Sequence, residues 1–140
     1  MTLGTALAAL CLVAGPAHDR MQVRIPVERF TLRWTHSIEK TRWEEDWHVA
    51  GDWLVVTGAR IRGTGAGMEP PEGAWREGGV YHYRVADPWR REMQLARSEF
   101  VPDYRLCIDG NCRPMSDWIP VAAGTTTLRT CASESTPARG

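Results

Sequence analysis

The stretch Trp43-Glu44-Glu45-Asp46-Trp47-His48-Val49-Ala50-Gly51-Asp52-Trp53-Leu54-Val55-Val56 reads as a β-hairpin, and that reading decides the fold. Trp43, Trp47 and Val49 recur with the period of two that puts alternate side chains on one face of a strand. Gly51 stands at the first central position of a type II′ turn, where a positive φ is needed. That turn pairs Val49 with Leu54, Trp47 with Val56 and Glu45 with Gly58. Trp43, Trp47, Val49, Leu54 and Val56 then form a core face, while Glu44, Asp46, His48 and Trp53 take the other. Glu45 falls on the core face, opposite a residue with no side chain. A one-residue slip would reverse every assignment.

The same period extends outward from the hairpin. Residues 27–36 alternate Phe30, Leu32 and Trp34 against Arg29, Thr31 and Arg33, and His36 shares the inward phase of Trp34. Strand-like segments follow at 53–61, 80–85, 93–100, 104–108, 111–119 and 125–131. Short Gly, Pro, Asp and Asn clusters separate them, and no window sustains a helical period. The pattern predicts an all-β chain, a single antiparallel β-sandwich or small barrel of about eight strands. Pro26 and Pro114 belong on edge strands or at bulges, because proline cannot donate to a ladder.

The chain has 140 residues, formal net charge +0 and seven tryptophans. That length suits one domain with a real core. The balanced charge excludes the basic footprint of a nucleic-acid binder. Most of the tryptophans belong in the core, since each buries a large area. Residues 1–17 are apolar and small, with an uncharged run from Leu3 to Ala14. They read as a signal peptide or N-terminal anchor, too short to span a bilayer comfortably. The expected β-domain covers residues 18–132, followed by a disordered tail at 133–140. Localisation is then periplasmic or exported, with membrane association at most through the N-terminal segment.

In Cys107-Ile108-Asp109-Gly110-Asn111-Cys112 the Asp-Gly pair is a two-residue hairpin turn. It places Cys107 opposite Cys112 with Cα atoms about 4.5 Å apart, within disulfide reach. A disulfide there suits an exported protein. Cys131 is left without an assigned partner.

Glu45 on a core face needs a partner, an opening to water or a raised pKa, because an ionised carboxylate is costly to bury. His36 is the natural neighbour, at the end of the adjoining strand. A hydrolase reading of His36 and Ser37 fails, since neighbours on a strand point to opposite faces and no Gly-x-Ser-x-Gly elbow is present. His36, Glu45, Asp46 and His48 lack a tight ligand spacing, so no metal site is assigned. Gly63-Thr64-Gly65-Ala66-Gly67 follows a strand without a helix after it, which excludes a dinucleotide fingerprint. No cofactor is expected. Such glycines permit close backbone approach to a ligand.

Trp34-Thr35-His36-Ser37-Ile38-Glu39-Lys40-Thr41, Trp43-x-Glu45-x-Trp47-x-Val49, Gly63-Thr64-Gly65-Ala66-Gly67-Met68 and Tyr104-Arg105-Leu106-Cys107 together resemble the bacterial family catalogued as domain of unknown function 1850. The resemblance implies a small exported protein without assigned catalytic activity, often encoded beside TAXI-type tripartite (TRAP) uptake transporters. It implies a non-catalytic accessory or binding component, with a TRAP-type permease or its solute receptor as partner. His36, Ser37, Glu45, Gly65, Ala66 and Gly67 would form the ligand or partner site. The competing expectation is a stand-alone carbohydrate- or small-ligand-binding module using exposed Trp75, Trp89 or Trp118.

Overall fold

The computed structural model describes residues 8–35, 41–62 and 72–131. The described chain is all-β, with strands β1 (Ala9–Ala14), β2 (Met21–Pro26), β3 (Arg29–Thr35), β4 (Arg42–Ala50), β5 (Trp53–Arg62) and β6 (Trp75–Glu77). They continue as β7 (Val80–Tyr83), β8 (Trp89–Arg90), β9 (Glu92–Leu95), β10 (Arg105–Ile108), β11 (Asn111–Pro114) and β12 (Thr126–Thr130). Two antiparallel sheets result, and neither closes into a barrel. The smaller runs β2-β1-β12-β9, the larger β11-β10-β3-β4-β5-β7-β6, with β8 also paired to β5.

The arrangement is a sandwich, because one core draws from both sheets. Leu10, Leu12, Ile25, Leu95 and Leu128 come from the small sheet; Phe30, Leu32, Trp47, Val49, Leu54, Val56 and Leu106 come from the large one. Pro26 and Pro114 each end an edge strand, β2 and β11, where a missing N–H leaves no ladder bond unmade. The strand expected over 111–119 stops at Pro114. A 3₁₀ turn, Met115–Asp117, then carries Met115 and Ile119 into the core, both fully buried.

The Gly51 turn forms as expected: Ala50 pairs with Trp53, and Gly51 has φ +61°. Trp47 faces Val56 and Val49 faces Leu54. The register then shifts by one. Asp46 pairs with Gly58 and Glu45 with Ala59, so the predicted Glu45–Gly58 pairing is corrected. Thr57 is the extra residue, and its hydroxyl donates to the Asp46 carbonyl at 3.2 Å. The extra residue reverses the phase of β5: Leu54 and Val56 point inward before the bulge and Ala59 and Ile61 after it, while β4 keeps its alternation.

The N-terminal boundary also differs from expectation. Ala9–Ala14, within the stretch read as leader or anchor, is a strand bonded to both β2 and β12, and every residue of it is buried. Leu10, Leu12 and Ala14 join the main core, while Ala9 and Cys11 pack with Cys131 on the opposite face. A strand covered on both faces is a continuous apolar run, and a secretory h-region looks the same in sequence. The β-domain therefore begins before residue 18. Residues 133–140, read as a disordered tail, lie outside the described residues.

The first disulfide follows from register, and the second runs diagonally, since Cys11 itself pairs with Arg129. Cys107 and Cys112 are directly opposed around the Asp109-Gly110 turn, Cα atoms 3.9 Å apart, with φ of 52° and 82° at the two turn residues. Cys131 finds Cys11, 120 residues away.

Candidate functional site

Strand β4 carries three consecutive carboxylates, and alternation sends them to different worlds. Glu44 and Asp46 face outward; Glu45 faces the core between Leu32 on β3 and Ala59 on β5. Ala59 is the small residue that leaves room for it.

Glu45 has no salt bridge among the described residues. Among the described residues its one side-chain hydrogen bond comes from the Trp47 indole N–H, which donates to Oε1 at 3.3 Å. Burial pushes its carboxyl above the ordinary value, against the opposing pull of the Trp47 hydrogen bond and the Arg90 charge. Aromatic rings surround this position. Trp34 and Trp43, paired across β3 and β4, stack with centroids 6.2 Å apart. Tyr104 tilts against Trp34 at 6.0 Å, and Tyr83 meets Trp43 edge-on at 6.5 Å. Burial raises both tyrosine phenols above their usual range, and the Glu45 charge adds to the effect at each. Trp43 is itself held by its indole N–H, which donates to the fully buried Thr41 hydroxyl at 3.2 Å. The result is a half-buried carboxyl with an aromatic surround at one end of the large sheet.

The outward face is organised by ion pairs. Glu44, only 3% exposed, accepts from Arg33, Arg60 and Arg62 at 2.9–3.1 Å. Arg60 also forks onto Asp46 at 2.6 and 2.8 Å, and Thr31 donates to the same carboxylate at 2.7 Å. Gly58 lies beside this fork, and an added Cβ would come within 3.4 Å of Asp46 Oδ2. Burial pushes the Glu44 carboxyl up, but the hydrogen bonds and charges of Arg62 and Arg60 outweigh it and hold it below the ordinary value. The Arg60 hydrogen bond holds Asp46 down in the same way, against burial and helped by Thr31. Arg60 is correspondingly harder to deprotonate, through Asp46 first and Glu44 second.

Of the residues singled out from sequence, the structure describes Glu45 and places it on the inner face. His36, Ser37, Gly65, Ala66 and Gly67 lie outside the described residues, so the His36–Glu45 pairing is not seen. Thr35, Arg42 and Arg62, which flank the segments holding them, are paired side by side at one end of the large sheet. Trp75 and Trp89 are exposed, at 45% and 51%. Trp118 was expected among the exposed aromatics; it is half-buried against the core, with Arg113 over its ring. Among the described residues no group of three or more His, Cys, Asp or Glu side chains gathers as a metal set. Sequence reasoning missed Tyr83 and Tyr104 as neighbours of Glu45, and Arg33, Arg60 and Arg62 as neighbours of Glu44. The sequence alternation gives Arg33 its outward phase, but an unbroken register puts Arg60 and Arg62 on the inner side with Gly58, and only the Thr57 bulge turns them outward.

With this geometry in hand, the chain can be placed. Residues 30–115 match the family described as Domain of unknown function (DUF1850), and the chain belongs to that family. Searches of curated proteins and of solved structures each found no match.

Proposed function

We propose that this family member is a non-catalytic binding domain of the cell envelope, serving as an accessory component of a TAXI-type TRAP solute-uptake system. The observation that carries a binding role is Glu45. A carboxyl turned inward without a salt bridge among the described residues, beside four aromatic rings, costs stability. That cost has a reason if the group meets a ligand or partner. His36, Ser37, Gly65, Ala66 and Gly67 are proposed to complete the site. The two disulfides fit an oxidising compartment. No helix of the described residues is long and apolar enough to cross a membrane. The link to an uptake system, with its permease or solute receptor as partner, rests on the family resemblance.

The test is capture from envelope membranes with the full chain as bait, comparing wild type with Glu45→Gln. Retention of a permease or solute receptor by wild type, and its loss in the variant, is the expected result. Identical captured bands from both proteins would defeat the reading.

A second reading is favoured by one observation. Trp75 is exposed yet held, stacked on His82 at 5.7 Å beside Arg84, on the rim of a recess of about 220 Å³. Such a platform suits a sugar ring, and a stand-alone carbohydrate-binding module would show tryptophan quenching by sugars that Trp75→Ala abolishes.

A further inference from the structure

We infer that the outer face of the large sheet holds a second site, for a small ligand bearing an oxyanion, either carboxylate or phosphate. This inference is independent of Glu45, which lies on the opposite face of the same strand.

The site is a groove of about 600 Å³, within the range of small-molecule sites. Its floor is the outward row of β3, β4 and β5, and its wall is the disulfide-closed hairpin of β10 and β11, with Cys107, Cys112 and Gly110 on the rim. Four arginines line it, Arg29, Arg33, Arg60 and Arg62. Glu44 and Asp46 oppose them on the floor, and Asp109 sits at the rim. The floor therefore has four positive charges against two negative, and the rim carboxylate still leaves a positive balance.

What matters next is which guanidinium groups are already used. Arg60 is spent: Nε, Nη1 and Nη2 all bond to Glu44 or Asp46. Among the described residues Arg62 uses Nε alone, on Glu44, and is 45% exposed. Arg33 reaches Glu44 through Nε and Nη2, leaving Nη1 without a partner among the described residues. Arg29 has no ion pair or side-chain hydrogen bond among the described residues, although it lines the groove. A guanidinium offers five N–H donors in a planar fork that matches a carboxylate or phosphate. Glu44 thus acts as a hub. It fixes Arg33 and Arg62 by one edge and leaves their other donors presented to the groove. Arginines held in place before binding lose less rotamer freedom when an anion arrives. The low-lying pKa of Glu44 and Asp46 keeps this scaffold ionised across the neutral range.

The experiment titrates the full-length protein with citrate, and separately with inorganic phosphate, in moderate salt. Arginine Nε–H resonances are followed in proton–nitrogen correlation spectra. Saturable shifts at Arg33 and Arg62 are expected with at least one of the two anions, and which one binds identifies the oxyanion. Arg62→Gln and Arg29→Gln should each weaken that binding about tenfold, and Arg29→Gln, which removes no ion pair among the described residues, should do so with thermal stability retained. Lack of saturation with both anions would overturn the site. So would unchanged affinity in the two variants, or displacement of citrate by an equal concentration of chloride, which marks unspecific screening.

Discussion

Glu44 and Glu45 are chemically identical neighbours, and β4 gives them opposite fates. Glu44 is the more inaccessible of the two, yet stays readily ionised because three guanidinium groups meet it. Glu45 keeps more access and is harder to ionise, because its neighbours are rings and one indole N–H. Accessible area alone would order their acidities the wrong way. What sets the charge state is the supply of donors, which depends on residues contributed by the flanking strands.

The comparison can be broken most forcefully at Glu44. Glu44→Ala strips Arg33 and Arg62 of their carboxylate and leaves Arg60 with Asp46 alone. Full burial of such a break costs about 3–5 kcal/mol, and partial exposure of the arginines trims it to roughly 2–3 kcal/mol. Urea denaturation measures this, and a loss under 1 kcal/mol would show the lattice to be ornamental for stability. Glu45→Gln works in the other direction. It keeps an acceptor for Trp47 and removes the charge, so stability at neutral pH should rise by on the order of 1 kcal/mol. A clear loss would mean that a cation supports Glu45 after all.

Their pH dependence sharpens the contrast. Glu44 has a depressed pKa in the fold, so its stabilisation is full above its ordinary value of 4.5 and disappears as pH falls through the lower, folded value. Glu45 has a raised pKa, so its ionisation penalty grows as pH rises through 4.5 and levels off above the folded value. Subtracting wild-type stability from that of Glu44→Gln and of Glu45→Gln across the acid range should yield curves of opposite sign. Curves of the same sign would erase the distinction. The smallest effect belongs to His48, also outward on β4, which meets the exposed Glu28 at 3.3 Å. His48→Ala should change stability by no more than about 0.5 kcal/mol, as exposed pairs generally do.

Period-two alternation was enough to place Trp47, Val49, Leu54, Val56 and Glu45 on the inner face, and the Asp-Gly turn was enough to oppose Cys107 and Cys112. The bulge at Thr57 was not legible, because glycine in Val55-Val56-Thr57-Gly58-Ala59 serves a bulge and a regular rung equally well. Nor was β1, whose doubly covered strand carries no alternation. The burial of Arg97 was hidden for another reason. Its side chain is fully enclosed, forked onto Asp103 at 2.9 Å and bonded to Thr126 and the Ile119 carbonyl. Those partners come from segments up to 29 residues away, beyond the reach of any local window.

The Cys11–Cys131 bond joins strands that already lie side by side, since β1 and β12 are paired from Leu10–Thr130 to Ala14–Thr126. Mechanically, this makes the domain a closed ring. A pull applied through the chain before Cys11 and after Cys131 would run across that single covalent link and leave the 119 residues between them unloaded. A domain built this way could be tethered by both ends and transmit tension without unfolding. In a reducing environment the same pull would load the β1–β12 ladder directly.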